Sequence, residues 1–123
     1  MKIQVGEYVR TKGGIIAKVI GVQSGGIEKY YFDKEVHNLF NYLNGLAVEN
    51  VVLKHSFNII DLIQKGDIVN GFKVFGIYNR EVDGVKVVSN TPDEDFYNES
   101  VSNEEIYSVL TKEQFKAMEY EVK

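Results

Sequence analysis

The amino-acid sequence predicts a mainly β protein with a minor helical part. Tyr (8), Phe (7) and many Val and Ile residues favour strands. Eleven Gly against a single Pro supply turns that need positive φ, as hairpin-rich folds do. The third observation is a strand opening that occurs twice, Val5-Gly6-Glu7-Tyr8-Val9 and Lys65-Gly66-Asp67-Ile68-Val69. Together they predict antiparallel sheets joined by tight turns.

The repeated opening narrows the expected architecture. Each copy is followed by a Gly-aliphatic pair, Gly21-Val22 or Gly76-Ile77. Small SH3-like barrels often begin in this way, because the first Gly permits a sharp entry and the later Gly lets the strand bend. We expect a small SH3-like barrel or packed antiparallel half-sheets, with one short C-terminal helix. Residues 1–123 are expected to form a single domain, with two similar β subdomains, 1–54 and 55–123, as the alternative; chance recurrence competes with duplication.

The elements of the first half follow from apolar runs and turn residues. Strands are expected over 3–9, 15–22 with a bend near Gly21, and 27–32. Tyr30-Tyr31-Phe32 breaks strict alternation, which suggests burial on both faces or a contact surface. Residues 37–46 fit either a helix or an irregular loop, because apolar residues at 39, 40, 43 and 46 have helical spacing but Asn is frequent. A strand is expected over 48–54.

The second half contains the clearest local signals. A capped helical turn is expected within 56–66. Asn70-Gly71 predicts a type I′ hairpin turn, and Asp83-Gly84 predicts a second such turn, followed by a strand over 85–88. Thr111-Lys112-Glu113-Gln114 has the capping-box pattern and predicts a helix through about Met118. A last strand is expected over 120–122.

Composition excludes several function classes. There is no Cys, so disulfides, thiolate nucleophiles and Cys-based metal sites are excluded. No apolar run approaches the roughly 20 residues of a membrane-spanning helix, and the chain starts without an apolar signal region. The sequence therefore predicts a soluble, intracellular protein with no membrane partner.

Acidic residues are concentrated in one segment. The net charge is −4, and between Val87 and Thr111 lie six acids and no Lys or Arg. The rest of the chain is weakly basic and shows no basic stripe, so we expect no direct binding of duplex nucleic acid.

No motif indicates catalysis. His37 and His55 lack partners at metal-ligand spacing. The glycine pairs lack the Lys-Ser/Thr of a phosphate-binding loop, and no nucleophile elbow is present. We expect a protein that is not an enzyme and that has no metal and no cofactor.

Two sets of residues are candidates for binding. A nucleotide site would use cations for phosphate and aromatic rings for stacking; Arg10 and Arg80 would converge if the halves, or two copies in a homo-oligomer, pair. The bland alternative is ordinary surface arginines. The candidate ligand-binding residues are Arg10, Lys12, Lys18, Tyr30, Tyr78 and Arg80.

The acidic segment over 89–105 is the second candidate. Its carboxylates flank two aromatic residues, so it could imitate nucleic-acid phosphates and occupy a basic groove on another protein. A solvated acidic loop is the alternative. The candidate partner-binding residues are Asp93, Glu94, Asp95, Phe96 and Tyr97.

Three segments carry a resemblance to a known group of proteins. They are residues 5–11 (Val-Gly-Glu-Tyr-Val-Arg-Thr), residues 55–71 from His-Ser-Phe-Asn to Val-Asn-Gly, and residues 106–115 with Tyr120-Glu121-Val122 behind them. They resemble uncharacterised small proteins of Firmicutes phages and prophages of the clostridial type. The resemblance implies a phage or prophage origin and assigns no site residues.

A phage origin raises one class of function. Small acidic phage proteins without enzymatic motifs often counter host defence. The protein would then act in the cytoplasm of an infected or lysogenic bacterial host, on a small nucleotide signal or a host immune protein. The alternatives are an acidic mimic of nucleic acid that inhibits a nuclease such as a CRISPR effector, and a structural or assembly protein.

Overall fold

The fold is that of a computed structural model, which describes residues 2–37, 39–80, 83–91 and 100–118. The chain is mainly β and forms two compact units, unit 1 over residues 1–62 and unit 2 over residues 63–123. The predicted mainly β class, the antiparallel sheets and the short C-terminal helix are confirmed. No closed barrel is defined among the described residues.

Unit 1 is built on one antiparallel sheet with the strand order β4-β3-β2-β1-β5. The chain follows this sheet as a meander and inserts a helix, α1, before the last strand returns to pair with the first. The elements are β1 (Tyr8–Thr11), β2 (Ile16–Gln23), β3 (Lys29–Phe32), β4 (Tyr42–Asn44), α1 (Gly45–Val51), β5 (Val52–Ser56) and a 3₁₀ turn (Ile59–Leu62).

The core of unit 1 is formed by the side chains that point inward from this sheet. Val9, Val19 and Phe32 are completely or almost completely buried, and Val48 of α1 covers them. β2 bends where the sequence predicted, because its pairing with β3 shifts register between Val19 and Gly21. The bend therefore lets one long strand pair in two different parts of the sheet.

Unit 2 has mostly shorter strands, which form two sheets instead of one. Two three-stranded antiparallel sheets have the orders β11-β6-β7 and β10-β9-β8 among the described residues. The elements are β6 (Ile68–Val69), β7 (Phe72–Lys73), β8 (Gly76–Asn79), β9 (Lys86–Ser89), β10 (Ser100–Ser102), a 3₁₀ turn (Asn103–Glu105), β11 (Val109–Leu110) and α2 (Lys112–Ala117). Its buried residues include Val69, Val74, Val87 and Val88.

The repeated opening forms the same turn in both units. Gly6 and Gly66 have φ of 96° and 97°, the positive value that the third position of a type II turn requires. The backbone N–H of the following acid donates to the Gln carbonyl three residues earlier, at 3.1 Å in Gln4–Glu7 and at 3.1 Å in Gln64–Asp67. The acid's carboxylate accepts from the N–H of the same Gln, at 2.6 Å and 2.7 Å.

The chain segment that follows also forms the same backbone hydrogen bonds with this turn in both units. In unit 1 the N–H of Gly6 donates to Val19, and the N–H of Val19 donates to Glu7. In unit 2 Gly66 and Val74 make the corresponding pair of bonds, the second one to Asp67. Gly21 and Gly76 follow two residues later. The recurrence in the sequence is therefore a recurrence of backbone structure.

Three local signals in the second half are confirmed. Asn70 (φ 50°) and Gly71 (φ 88°) occupy the two turn positions of the β6–β7 hairpin, as a type I′ turn demands. Thr111 caps α2 by accepting from the N–H of Gln114. The helical turn expected within 56–66 is the 3₁₀ turn Ile59–Leu62.

The structure corrects the prediction for residues 37–54. His37 and Phe40 form an isolated β-bridge, β4 covers Tyr42–Asn44, and the first half of the expected strand over 48–54 belongs to α1. The reason is a cap, because the side chain of Asn44 accepts from the N–H groups of Leu46 and Ala47 and so begins a helix.

The second predicted hairpin turn is also wrong in type. The N–H of Arg80 bonds to the carbonyl of Val85, so the loop spans more than two residues. Of the two residues Asp83 and Gly84, only Gly84 has positive φ, whereas a type I′ turn would need it at both. The strand expected over 120–122 lies outside the described residues.

Candidate functional site

Strand alternation in β3 and β4 turns two tyrosine rings away from the core of unit 1. Tyr30 and Phe32 point inward and are buried, so Tyr31 between them points outward. In β4 the buried residue is Leu43, and Tyr42 points outward. Tyr31 and Tyr42 are direct partners in the β3–β4 register, and their ring centroids lie 5.9 Å apart.

A third ring extends this pair. Phe40 precedes β4 and is 53% exposed, and its centroid lies 5.5 Å from that of Tyr42. The backbone that presents it is closed by hydrogen bonds from the N–H of Phe40 to His37 and from the N–H of Val36 to Phe40, both 2.8 Å. Leu39 in this turn has φ of 69° and is 82% exposed. A bulky residue rarely adopts this conformation.

Polar groups border the rings. Lys29 is exposed, and its Nζ lies 5.3 Å from the centroid of Tyr42, within range of a cation–π interaction. The Tyr31 hydroxyl donates to Oε1 of Gln23 at 3.0 Å. We call Tyr31, Phe40 and Tyr42, together with Lys29, the aromatic face.

Contiguity distinguishes the aromatic face from ordinary surface hydrophobics. Single exposed apolar side chains are normal, and contiguous apolar patches mark binding surfaces. In the aromatic face Phe40 is exposed, and Tyr31 and Tyr42 are half-buried. The three rings touch in sequence, with Tyr42 in the middle. β4 is also at one end of the strand order of its sheet. The aromatic face can therefore stack planar groups and place a cation beside them.

The candidate ligand-binding residues of unit 1 are dispersed over this unit. Arg10 has 0% exposure, and its Nη1 donates to the carbonyl of Leu62 at 2.9 Å. Lys12 is exposed at the end of β1. Lys18 is exposed and lies over the ring of Tyr8, with its Nζ 5.5 Å from the centroid.

Tyr30 is a core residue with a polar tip. Its hydroxyl donates to Oε2 of Glu28 at 2.6 Å. This hydrogen bond, burial and the nearby carboxylate charge raise the pKa of the Tyr30 phenol. The ring that points away from the core in this strand is that of its neighbour, Tyr31, which is half-buried.

The two candidates in unit 2 are held by local contacts. The Tyr78 hydroxyl donates to the carbonyl of Thr91 at 3.1 Å. Arg80 forms a two-point ion pair with Asp83, at 3.0 Å from Nη2 and 3.4 Å from Nε. A hydrogen bond from the N–H of Val85 and this guanidinium lower the pKa of Asp83. The convergence of Arg80 with Arg10, which belongs to unit 1, stays a prediction.

The candidates of the acidic segment, Asp93, Glu94, Asp95, Phe96 and Tyr97, lie outside the described residues. Where the chain is described again, Glu105 accepts from the N–H and the hydroxyl of Ser102. These hydrogen bonds lower the pKa of Glu105, and the charge of Arg80 adds to the effect.

Sequence reasoning did not select Tyr31, Phe40 or Tyr42 as site residues. One signal was present, because the broken alternation of Tyr30-Tyr31-Phe32 was compatible with a contact surface. The aromatic face depends in addition on the β3–β4 register and on the bridge between His37 and Phe40, and neither is encoded within a single strand.

Within the described ranges, no three His, Cys, Asp or Glu side chains are grouped so that they could hold a metal ion. Nδ1 of His55 lies 2.7 Å from Oε1 of Glu7, whose other oxygen holds the repeated turn. This histidine therefore ties β5 to the start of β1. None of the described helices is long and apolar enough to cross a membrane.

Comparison with known proteins adds no relative: no family model, no curated protein and no solved structure matches the chain.

Proposed function

We propose that the protein is a non-enzymatic binding protein and that the aromatic face of unit 1 is its working surface. The ligand is a nucleotide, held by stacking of its base on a ring and by contact of its phosphate with a lysine. The observation that carries the proposal is the contact of three outward rings, Tyr31, Tyr42 and Phe40, with a lysine beside the middle one.

The chemistry of the aromatic face favours this class of ligand. Base–aromatic stacking is worth about 1–3 kcal/mol per base. Lys29 supplies a positive charge at the middle ring, and this charge would attract the phosphate of a nucleotide bound there. An uncharged apolar partner would gain nothing from the lysine, and an aliphatic one would gain less from the rings.

The biological setting rests on the sequence resemblance to phage and prophage proteins. In that setting, the nucleotide is a signal of host defence, and binding withdraws it from its receptor. A protein that works in this way needs affinity and abundance but no catalytic group.

A second candidate function is supported by the distribution of charge. Unit 1 has seven Lys or Arg against six Asp or Glu, whereas unit 2 has seven against twelve. An acidic unit suits a surface that imitates nucleic acid and blocks a nuclease or another host immune protein. Charge reversal at Asp93, Glu94 and Asp95 would abolish capture of such a partner, and unchanged capture would exclude this function.

The test of the first proposal uses matched phenylalanine variants. Phe40 and Phe57 are exposed to nearly the same extent, 53% and 54%, in the same unit. Phe57 lies near Gly6 rather than beside the aromatic face. Calorimetric titration with AMP, ATP, ADP-ribose and cyclic mono- and dinucleotides should detect binding that Phe40→Ala weakens about tenfold. Phe57→Ala should leave it unchanged.

Two results would contradict the proposal. One is the absence of heat and of any rise in melting temperature across the panel, because a ligand of the native state must stabilise it. The other is an equal loss of affinity in both variants, which would place the site elsewhere.

A further inference from the structure

The three rings of the aromatic face do not share a plane. Tyr31 and Tyr42 are inclined by 42°, and Phe40 and Tyr42 by 55°. Stacking requires two nearly parallel planes, so one rigid base that lies flat on Tyr42 cannot also lie flat on either neighbour. A ligand that uses all three rings must bring three planar groups with rotatable links between them.

We infer that the natural ligand is a linear single strand of nucleic acid whose successive bases stack one to a ring on Phe40, Tyr42 and Tyr31. This inference rests on the proposed function and names its ligand. Single strands expose bases that can be splayed apart and stacked separately on aromatic side chains.

The position of the charge agrees with a strand. Lys29 lies over the middle ring, with its Nζ 5.3 Å from the centroid of Tyr42, and not over an outer ring. Phosphates that link the middle base to its two neighbours would run past this point. A mononucleotide on either outer ring would leave Lys29 without a role.

The outward orientation of the aromatic face also agrees with a single-stranded ligand. Sites for single small molecules are concave and bury most of the ligand. The aromatic face lies on the outer surface of an antiparallel sheet and includes its edge strand β4. A chain can cross such a surface and continue on either side. Duplex DNA would not fit, because its bases are already stacked on one another.

A length series tests the inference. Unlabelled dTMP, the dinucleotide, the trinucleotide and the pentanucleotide of thymidine are titrated calorimetrically into the full chain, next to a cyclic dinucleotide. We expect affinity to rise about tenfold for the second base and again for the third, and to change little beyond it. Lys29→Gln should reduce the dependence of affinity on salt, since fewer counterions are released.

Phe40→Ala tests the assignment of bases to rings. It removes an outer ring, so the gain in affinity from two to three bases should disappear. Phe57→Ala should preserve the whole series. An unchanged melting temperature of the Phe40→Ala variant establishes that its loss of affinity does not come from unfolding.

The outcomes separate this inference from the proposed function. Equal affinity for dTMP and the trinucleotide would overturn the single strand but leave a nucleotide site. Tighter binding of the cyclic dinucleotide than of the trinucleotide would do the same. If no nucleotide binds at all, both fail.

Discussion

Replacement of Asp67 by alanine should cost more stability than any other single change at the repeated turns. The Asp67 side chain is fully buried. Its Oδ2 accepts from the N–H of Gln64 at 2.7 Å, and its Oδ1 accepts from the N–H of Lys112, the first residue of α2, at 2.9 Å. Hydrogen bonds to a charged group contribute about 1.5–3 kcal/mol each, so the loss of both should cost about 3–6 kcal/mol.

The corresponding change in unit 1 is the internal control. Glu7 accepts from the N–H of Gln4 at 2.6 Å, but its second partner is His55, whose side chain is 29% exposed. Because water can replace the carboxylate at His55, Glu7→Ala leaves only one backbone group unpaired and should cost about 1.5–3 kcal/mol.

Amide hydrogen exchange measures both effects unit by unit. A unit of about 60 residues has a stability of only about 3–9 kcal/mol, so Asp67→Ala should remove most of the protection of the Val69 and Val87 amides. Asp67→Asn, which keeps one acceptor oxygen, should lose less. The reasoning is refuted if Asp67→Ala lowers protection by less than about 1 kcal/mol, or if Glu7→Ala is the more damaging change.

Three further outcomes are expected. Gly76→Ala should destabilise unit 2 in urea, because an added Cβ would overlap a tyrosine ring. Gly21→Ala should be tolerated, because an added Cβ there meets no atom within 4 Å. Similar urea midpoints of the two variants would contradict this expectation. Leu39→Gly should raise stability by about 1 kcal/mol because it relieves the positive φ, and a lower melting temperature would show that the leucine packs. Hydrogen bonds hold the Glu105 carboxylate ionised, so its contribution to stability is full above the unfolded pKa of about 4.3 and falls as the pH drops through its lower folded value. Ser102→Ala removes the hydroxyl but keeps the backbone N–H, so it should raise the NMR titration midpoint of Glu105 in part, and an unchanged midpoint would refute the contribution of the hydroxyl.

Local turn and cap chemistry accounts for the parts of the fold that the sequence predicted well. Asn70-Gly71 requires two successive positive φ values, and few residue pairs tolerate them. Thr111 and Gln114 form a cap within four residues. The glycine and acid of the repeated opening likewise act within a single turn, so the pattern could be recognised before any pairing was known.

The prediction failed where local preferences conflicted. Val48, Val51 and Val52 are β-branched and favour a strand, yet the first two lie in α1. The cap by Asn44 and the burial of Val48 against the core outweigh that preference. Such a tertiary contribution cannot be seen in a window of seven residues.

The aromatic face could not be predicted from the sequence for a different reason. Whether Tyr31 or Tyr30 faces solvent depends on which residues of β3 face the core, and a shift of one residue would exchange them. The pairing of Tyr31 with Tyr42 joins residues that are separated by a turn, a β-bridge and an unusual backbone at Leu39. Only the presence of aromatic residues could be anticipated, not their alignment.

The most direct test of the central claim is to map ligand contacts by NMR. A single-stranded pentanucleotide is titrated into ¹⁵N-labelled protein, and amide shifts are followed residue by residue. The account predicts that the shifts concentrate at Lys29, Tyr31, Phe40 and Tyr42 and that Phe40→Ala reduces them. Shifts confined to unit 2, or none at a millimolar concentration of the oligonucleotide, would contradict it.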